Sequence, residues 1–334
     1  MALFQQDIML PKWFGDFGGD LSTGDLDERP ARRAGEIQSL LPGAAFEEEF
    51  GRVLALVRPQ PPAVRRQTTA GGRTLLCVPD AAWKYNLAGQ LALARLRGVR
   101  HLCAGTFRKE QALAAAAACE ALGLRLSLML GRLPGADEAL VRQLEQHGCE
   151  VDAQSCVQMF DLPHLYAPKL FSMEDPEVEA FPFAANYGDY PAPALAGALA
   201  GLYGKWLRAR VGVPDVVAVP IADGTGAVGV LSAYIDEPCR CATVERPIAQ
   251  EYHNGETLTT RAADNEEDNT VICPQLAHWW RSARVLRLGC DRFRPVDTSG
   301  WAGLGLSGAA ARAAALADQA VPEWKTMMIV EGPA

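Results

Sequence analysis

The sequence predicts an α/β protein in which mostly parallel sheets are flanked by helices. Three observations carry that expectation. From about residue 73, short β-branched or aliphatic runs alternate with longer Ala- and Leu-rich stretches, the order produced when each strand is followed by a crossover helix. The longer stretches space their apolar residues at 3.6-residue intervals, as at Leu87, Leu91, Ala94 and Leu96. The chain has 334 residues, 49% of them hydrophobic, enough for one large or two medium cores.

Taken in order, the run around Leu75, Leu76 and Val78 predicts a strand over 73–78, and the spacing that follows predicts a helix over 85–97. His101-Leu102-Cys103 closes a strand over 99–103, and an alanine run predicts a helix over 108–122. Strands over 124–130 and 149–153 bracket a helix over 136–148. A long helix over 192–211 leads to the strand 214–220, built on Val216-Val217-Ala218-Val219. A helix over 226–235, a strand over 241–245, a helix over 307–319 and a last strand over Thr326–Glu331 complete the series. Residues 20–45, 158–190 and 248–275 carry Pro, Gly, Asn and Asp punctuation and read as irregular, the acidic cluster Asp264 to Asp268 as a solvated loop. No internal repeat is present.

Composition excludes several classes of function. A formal charge of −8 and a pI near 5.3 lack the basic face that neutralises phosphates, so no nucleic-acid partner is expected. No run of about 18 apolar residues and no charged-then-apolar leader occurs, which predicts neither a membrane span nor secretion and makes the cytoplasm the expected location. Nine cysteines, an odd number spread along the chain, suit reduced thiols better than a disulfide framework. Cys239-Arg240-Cys241 with Cys273, Cys290, His253 and His278 lacks the paired C-x-x-C spacing of structural zinc sites, so no metal site is expected. Hydrolase and nucleotide-loop signatures (G-x-S-x-G, H-E-x-x-H, Walker) are absent.

The opening Trp13-Phe14-Gly15-Asp16-Phe17-Gly18-Gly19 resembles the F-G-[DE]-F-G-G signature of the tryptophan synthase β subunit family. Further similarities follow in consistent order over roughly residues 13–331. Phe46-Glu47-Glu48-Glu49-Phe50 resembles a family helix, and Arg58-Pro59-Gln60-Pro61 its R-P-T-P strand. Tyr187-Gly188-Asp189-Tyr190-Pro191 resembles the segment before the long helix, Ile221 to Gly229 the V-G-G-G-S-N-A-I-G phosphate loop, and Val244-Glu245 the G-V-E strand. The resemblance implies the two-domain fold of type II pyridoxal phosphate enzymes. Its domains would comprise 1–50 with 83–190 and 51–82 with 191–334, the cofactor lying in the cleft between them.

It also implies site residues. Ala82-Trp83-Lys84-Tyr85-Asn86 is similar to A-H-K-x-N, which makes Lys84 the cofactor-anchoring amine and Asn86 its neighbour at the cofactor hydroxyl. A competing register, aligning Gly89-Gln90 with the family's L-G-Q, puts Trp83 at the anchor position, and one residue on a helix is about 100° of rotation. Gly224, Thr225, Gly226 and Ala227 are the candidate phosphate cradle, although Asp223 replaces a family glycine there and brings like charge to the anion. Ala104 stands where the family has its acid/base glutamate, so the family's own condensation of indole with serine is expected to fail. Thr106, Arg108 and Lys109 are candidate substrate contacts in that loop. Ser307-Gly308-Ala309 resembles E-S-x-x-A, with Gly305 in place of the glutamate, and Glu331 falls where the family's serine meets the pyridine nitrogen.

Two readings lead at this stage, with a small-molecule or amino-acid binding module in the same cleft as a third. One is a diverged enzyme acting on an amino-acid-like substrate by β-elimination or β-replacement. The other is a cofactor-free pseudoenzyme that pairs with an active homologue or an α-subunit-like protein. The family resemblance implies a homodimer in either case.

Overall fold

The computed structural model describes residues 39–41, 43–58, 60–106, 109–131, 138–154, 178–180, 192–221, 224–245, 252–253, 256–257, 274–290 and 295–331. Its elements begin with α1 (Ala44–Val57), β1 (Arg65–Thr68), β2 (Thr74–Pro79), α2 (Ala82–Leu96), β3 (His101–Thr106), α3 (Lys109–Leu122) and β4 (Arg125–Gly131). Next come α4 (Glu138–Gln146), β5 (Glu150–Gln154), β6 (Val178–Ala180), α5 (Ala192–Val211), β7 (Val216–Ile221), α6 (Thr225–Leu231) and β8 (Arg240–Glu245). The series ends with β9 (Tyr252–His253), β10 (Glu256–Thr257), α7 (Pro274–Arg281), β11 (Val285–Leu288), a 3₁₀ turn (Ser299–Leu304), α8 (Gly308–Ala320) and β12 (Thr326–Glu331). The described residues fall into two compact units, one drawn from Met1–Gln60 and Lys84–Leu199, the other from Pro61–Trp83 and Ala200–Ala334.

In the first unit, four parallel strands lie in the order β5-β4-β3-β6. All six residues of β3 are buried, as strands covered on both faces must be, which is why they read as continuous apolar runs rather than alternating ones. Polar side chains bond to one another across this sheet. His101 Nε2 lies 2.8 Å from Ser127 Oγ, which donates to Glu150 Oε2 at 2.8 Å, a rung running across β3, β4 and β5. The α1 helix presents Phe46, Phe50, Val53 and Val57 on one buried stripe, and Phe50 packs on Tyr85 of α2 with ring centroids 6.1 Å apart.

The second unit is a six-stranded sheet ordered β1-β2-β12-β7-β8-β11, parallel except for the antiparallel edge strand β1. Pro220 in β7 offers no N–H to a ladder, and the β7–β12 pairing stops at Ala218, two residues earlier. Alanine-rich α8 packs on β7, β8 and β12, its Ser307 cap accepting a hydrogen bond from the Ala310 amide at 3.3 Å. Glu245, at the end of β8, is buried against Arg287, whose Nε donates to it at 3.0 Å, while Arg312 Nε reaches the Glu245 carbonyl at 3.3 Å.

Glycines bring α5 and α6 close together. A Cβ on Gly204 would stand 2.3 Å from the Gly229 carbonyl oxygen, and one on Gly229 would stand 2.8 Å from the Ala200 Cβ. Only hydrogen fits at either position.

The expected series of strands and helices is present, with differences that tertiary pairing explains. The edge strands β1 and β11 and the short β6 were not expected, because four or three residues interrupted by Arg or Glu carry little periodic signal and are strands by virtue of their neighbours. Helix α7 lies partly in the stretch read as irregular, opening on Pro274, a residue suited to the first helical position. The helix expected over 226–235 ends at Leu231, and tight turns carry the chain to Pro238. The R-P-T-P-like segment is not a strand among its described residues, Arg58, Gln60 and Pro61; the first strand begins at Arg65. No described helix is long and apolar enough to cross a membrane.

Candidate active site

In open parallel sheets, ligands gather at the carboxyl-terminal ends of the strands. In the second unit, three such ends lie side by side. The β2 strand ends at Pro79, and the following Asp80 amide donates to the Glu331 carbonyl at 2.9 Å, tying the β2 end to the β12 end. Next along the sheet, β7 ends at Ile221 and runs into the turn before α6.

That turn needs glycine. Gly224 is buried with φ of 78°, the left-handed region that side chains resist. A Cβ on Gly226 would come within 3.0 Å of Asp80 Oδ1, so the Asp80 carboxylate lies against the start of α6. Ala227 is buried. Thr225 is the first residue of α6, and Asp223 lies outside the described residues.

Glu331, at the end of β12, is partly exposed, and its carboxylate is ion-paired with Arg65 of β1. Arg65 also reaches the carbonyl of Gly305, itself left-handed at φ 56°. Sequence reasoning reached Glu331 but missed both Arg65 and Asp80. Strand pairing alone joins residues 65, 80 and 331, and no spacing in the chain signals it.

In the first unit, Lys84 lies in the first turn of α2, partly buried between Trp83 and Tyr85, both almost fully enclosed. Asn86 is completely buried, and its Oδ1 accepts from Gln90 Nε2 at 3.4 Å. The Tyr85 ring lies under the Arg58 guanidinium at 5.2 Å, and burial pushes its hydroxyl up to about 12 against the opposing pull of Arg58. Tyr85 is thus a packing residue that ties α1 to α2.

Thr106 ends β3, completely buried, and its hydroxyl donates to Gln111 Oε1 at 2.7 Å. Gln111, in the first turn of α3, is buried too, and its Nε2 has no hydrogen-bond partner among the described residues. Of the three candidate substrate contacts, Thr106 bonds within the loop, Lys109 is exposed, and Arg108 lies outside the described residues. Ala104 is buried within β3 and paired in register with Leu128; no carboxylate occupies its place. Among the described residues, no cluster of three or more His, Cys, Asp or Glu side chains is arranged to hold a metal.

With this geometry in view, comparison with solved structures defines the fold. The chain matches the processed form of threonine deaminase isoform 2 from Solanum lycopersicum with a TM-score of 0.55 at 13% identity, over 86% of this chain and 85% of that one. A fungal L-serine ammonia-lyase from Rhizomucor miehei matches at 0.52 and 10% identity, over 80% and 94%. A pyridoxal 5'-phosphate-dependent aspartate racemase matches at 0.50 and 14% identity, over 87% and 96%. The fold is that of the type II pyridoxal phosphate enzymes. Within that fold the sequence is similar to the tryptophan synthase beta chains of Mycobacterium bovis and Mycobacterium tuberculosis, 25% identical over 159 residues. The match covers 46% of this chain and 38% of each mycobacterial protein, well under two thirds of their length. No protein-family model matches.

Proposed function

We propose that this chain binds pyridoxal 5'-phosphate through Lys84 and acts on an amino acid by elimination or replacement at its β-carbon. The observation that carries the proposal is the Lys84-Tyr85-Asn86 turn: a partly buried amine two residues from a fully buried carboxamide, opening the helix that follows β2. The similarity to tryptophan synthase beta chains, and to solved enzymes named for deamination, ammonia release and racemisation, supports this class of chemistry.

Taken unit by unit, the residue types suit the group. The turn from Gly224 to Ala227 is a cradle that a Cβ at 226 would fill, and it would take the phosphate. Asn86 would meet the ring hydroxyl, and Glu331, held by Arg65, would meet the ring nitrogen. Asp80 opposes the fit, because its carboxylate lies against that same turn. When bound, the cofactor supplies an electron sink for charge developing at the substrate's Cα. Lys84 would hold the group, and its amine would be the base that carries the Cα proton. Thr106 and Gln111, with Lys109 and Arg108 at the same loop, orient the substrate carboxylate. Ala104 offers no proton to a leaving group, so the substrate's leaving group must depart without an acid from this position, unlike the family's condensation.

A second reading, a cofactor-free partner of an active homologue, draws on Ala104 and Asp80 together. One titration separates the two. Protein mixed with pyridoxal phosphate is expected to develop a visible absorbance band, to gain the cofactor's mass on Lys84 after borohydride reduction, and to lose both in Lys84→Ala. The absence of any band at saturating cofactor favours the pseudoenzyme; a mass gain on another lysine removes Lys84 from the site.

A further inference from the structure

Two of the cysteines lie outside everything assigned so far. Cys239 sits in the bend before β8 and Cys241 is the second residue of that strand, so the two side chains share one face, with Sγ atoms 4.0 Å apart. Cys241 is buried and its backbone is held on both sides, in register with Val217 of β7 and Val285 of β11. Cys239 is partly exposed and outside the ladder; its amide bonds the Glu237 carbonyl at 2.7 Å, and its Sγ contacts the Tyr234 carbonyl at 3.5 Å. Cys239 is partly exposed and lies outside the ladder, while Cys241 is buried and its backbone is held within it.

We propose that Cys239 and Cys241 form a thiol–disulfide exchange site for low-molecular-weight disulfides, with Cys239 the attacking and Cys241 the resolving thiol. An S–S bond is about 2.05 Å long, so closure needs an approach of about 2 Å, within reach of a side-chain rotation at Cys239. The surroundings suit these roles. The hydrogen bond from Cys241 holds the Cys239 thiol below its ordinary range, and the Arg208 guanidinium acts in the same direction against burial and Glu237. The same hydrogen bond, with burial, raises Cys241. Arg208 is itself fixed by a 2.5 Å ion pair with Glu237. Cys77, Cys119 and Cys149 stand in contrast: burial pushes Cys77 and Cys149 up to about 11 and Cys119 to about 12, which disfavours the thiolate.

The exchange balances in two steps. The Cys239 thiolate attacks one sulfur of a disulfide R–S–S–R, breaks that bond and expels R–S⁻, which takes up the proton Cys239 had released. The Cys241 sulfur, giving up its proton, then attacks the Cys239 sulfur, expels the second R–SH and closes the Cys239–Cys241 bond. Two protein thiols are oxidised and one small disulfide is reduced to two thiols.

The test uses oxidised glutathione on the intact protein, followed by alkylation of remaining thiols, digestion and mass spectrometry. The peptide carrying 239 and 241 is expected to lose two hydrogens and resist alkylation, and dithiothreitol is expected to reverse both. In Cys241→Ser, a glutathione adduct is expected to accumulate on Cys239; in Cys239→Ser, Cys241 is expected to stay reduced. Exposed Cys290 is the internal control, and Cys239 in the wild-type protein is expected to react at least about tenfold faster. The wild-type rates stand even if a serine variant folds poorly. A stable adduct on wild-type Cys239 without closure, bridging to Cys156 or Cys273, or reaction no faster than at Cys290 overturns the proposal.

Discussion

At the scale of single residues, charge decides what the candidate site can hold. Asp80 lies against the turn at Gly224 to Gly226, where the resemblance implies a phosphate cradle. At an effective dielectric near 20, two like charges about 4 Å apart repel by about 4 kcal/mol, more than a single charge-assisted hydrogen bond of about 1.5–3 kcal/mol returns. Asp80→Asn keeps the shape and removes the charge, so it is expected to tighten pyridoxal phosphate at least about tenfold, or about 1.4 kcal/mol. Equilibrium titration of wild type and variant by cofactor absorbance measures this; unchanged affinity would mean that the anion does not sit at this turn. Lys84 and Asn86 were legible because a short motif carries them. Asp80, Arg65 and the amide of Gln111 were not, since each acquires its place through a strand end or a helix turn that no local spacing announces.

At the scale of elements, the crossing of α5 and α6 rests on hydrogen-only positions. Gly204 leaves no room for a methyl group, with backbone oxygens of Gly229 and Val230 at 2.3 and 2.8 Å from its would-be Cβ. Because the obstacles are backbone atoms, neither helix can relieve the clash by a rotamer change. Gly204→Ala is expected to destabilise the protein by about 1–3 kcal/mol despite its better intrinsic helix propensity, the penalty typical of overpacking. Chemical denaturation read by circular dichroism measures it, with Gly212→Ala as a poor control because of its left-handed φ and Gly51→Ala, where nothing lies near, as a good one. Helix α5 was legible over its full length, from Ala192 to Val211, whereas α7 was not. Short strands such as β11 were not, since Val285–Leu288 becomes a strand only by pairing with β8.

At the scale of the whole molecule, burial of phenols couples folding to alkaline pH. Burial raises Tyr85 to about 12 and moves Tyr234 upward as well. A folded-state value above the unfolded value near 10 means the stabilisation is complete below pH 10 and is lost as pH climbs through the folded value. Each such proton costs up to about 1.4 kcal/mol per pH unit in that window. Unfolding midpoints are therefore expected to fall between pH 10 and 12, and less steeply in Tyr85→Phe; an equal slope in the variant would show that Tyr85 ionises freely in the native state. Taken alone, the sequence determined the α/β class, the order of most strands and helices, and the motif containing Lys84, because these depend on local periodicity and on short contiguous patterns. Tertiary structure alone decided that β12 inserts between β2 and β7, that Asp80 meets Gly226, that Arg65 meets Glu331 and that the two sulfurs of the C-x-C motif lie on either side of a burial boundary. Each of those is a contact between surfaces that only folding brings together, and a chain read in order carries no term for them.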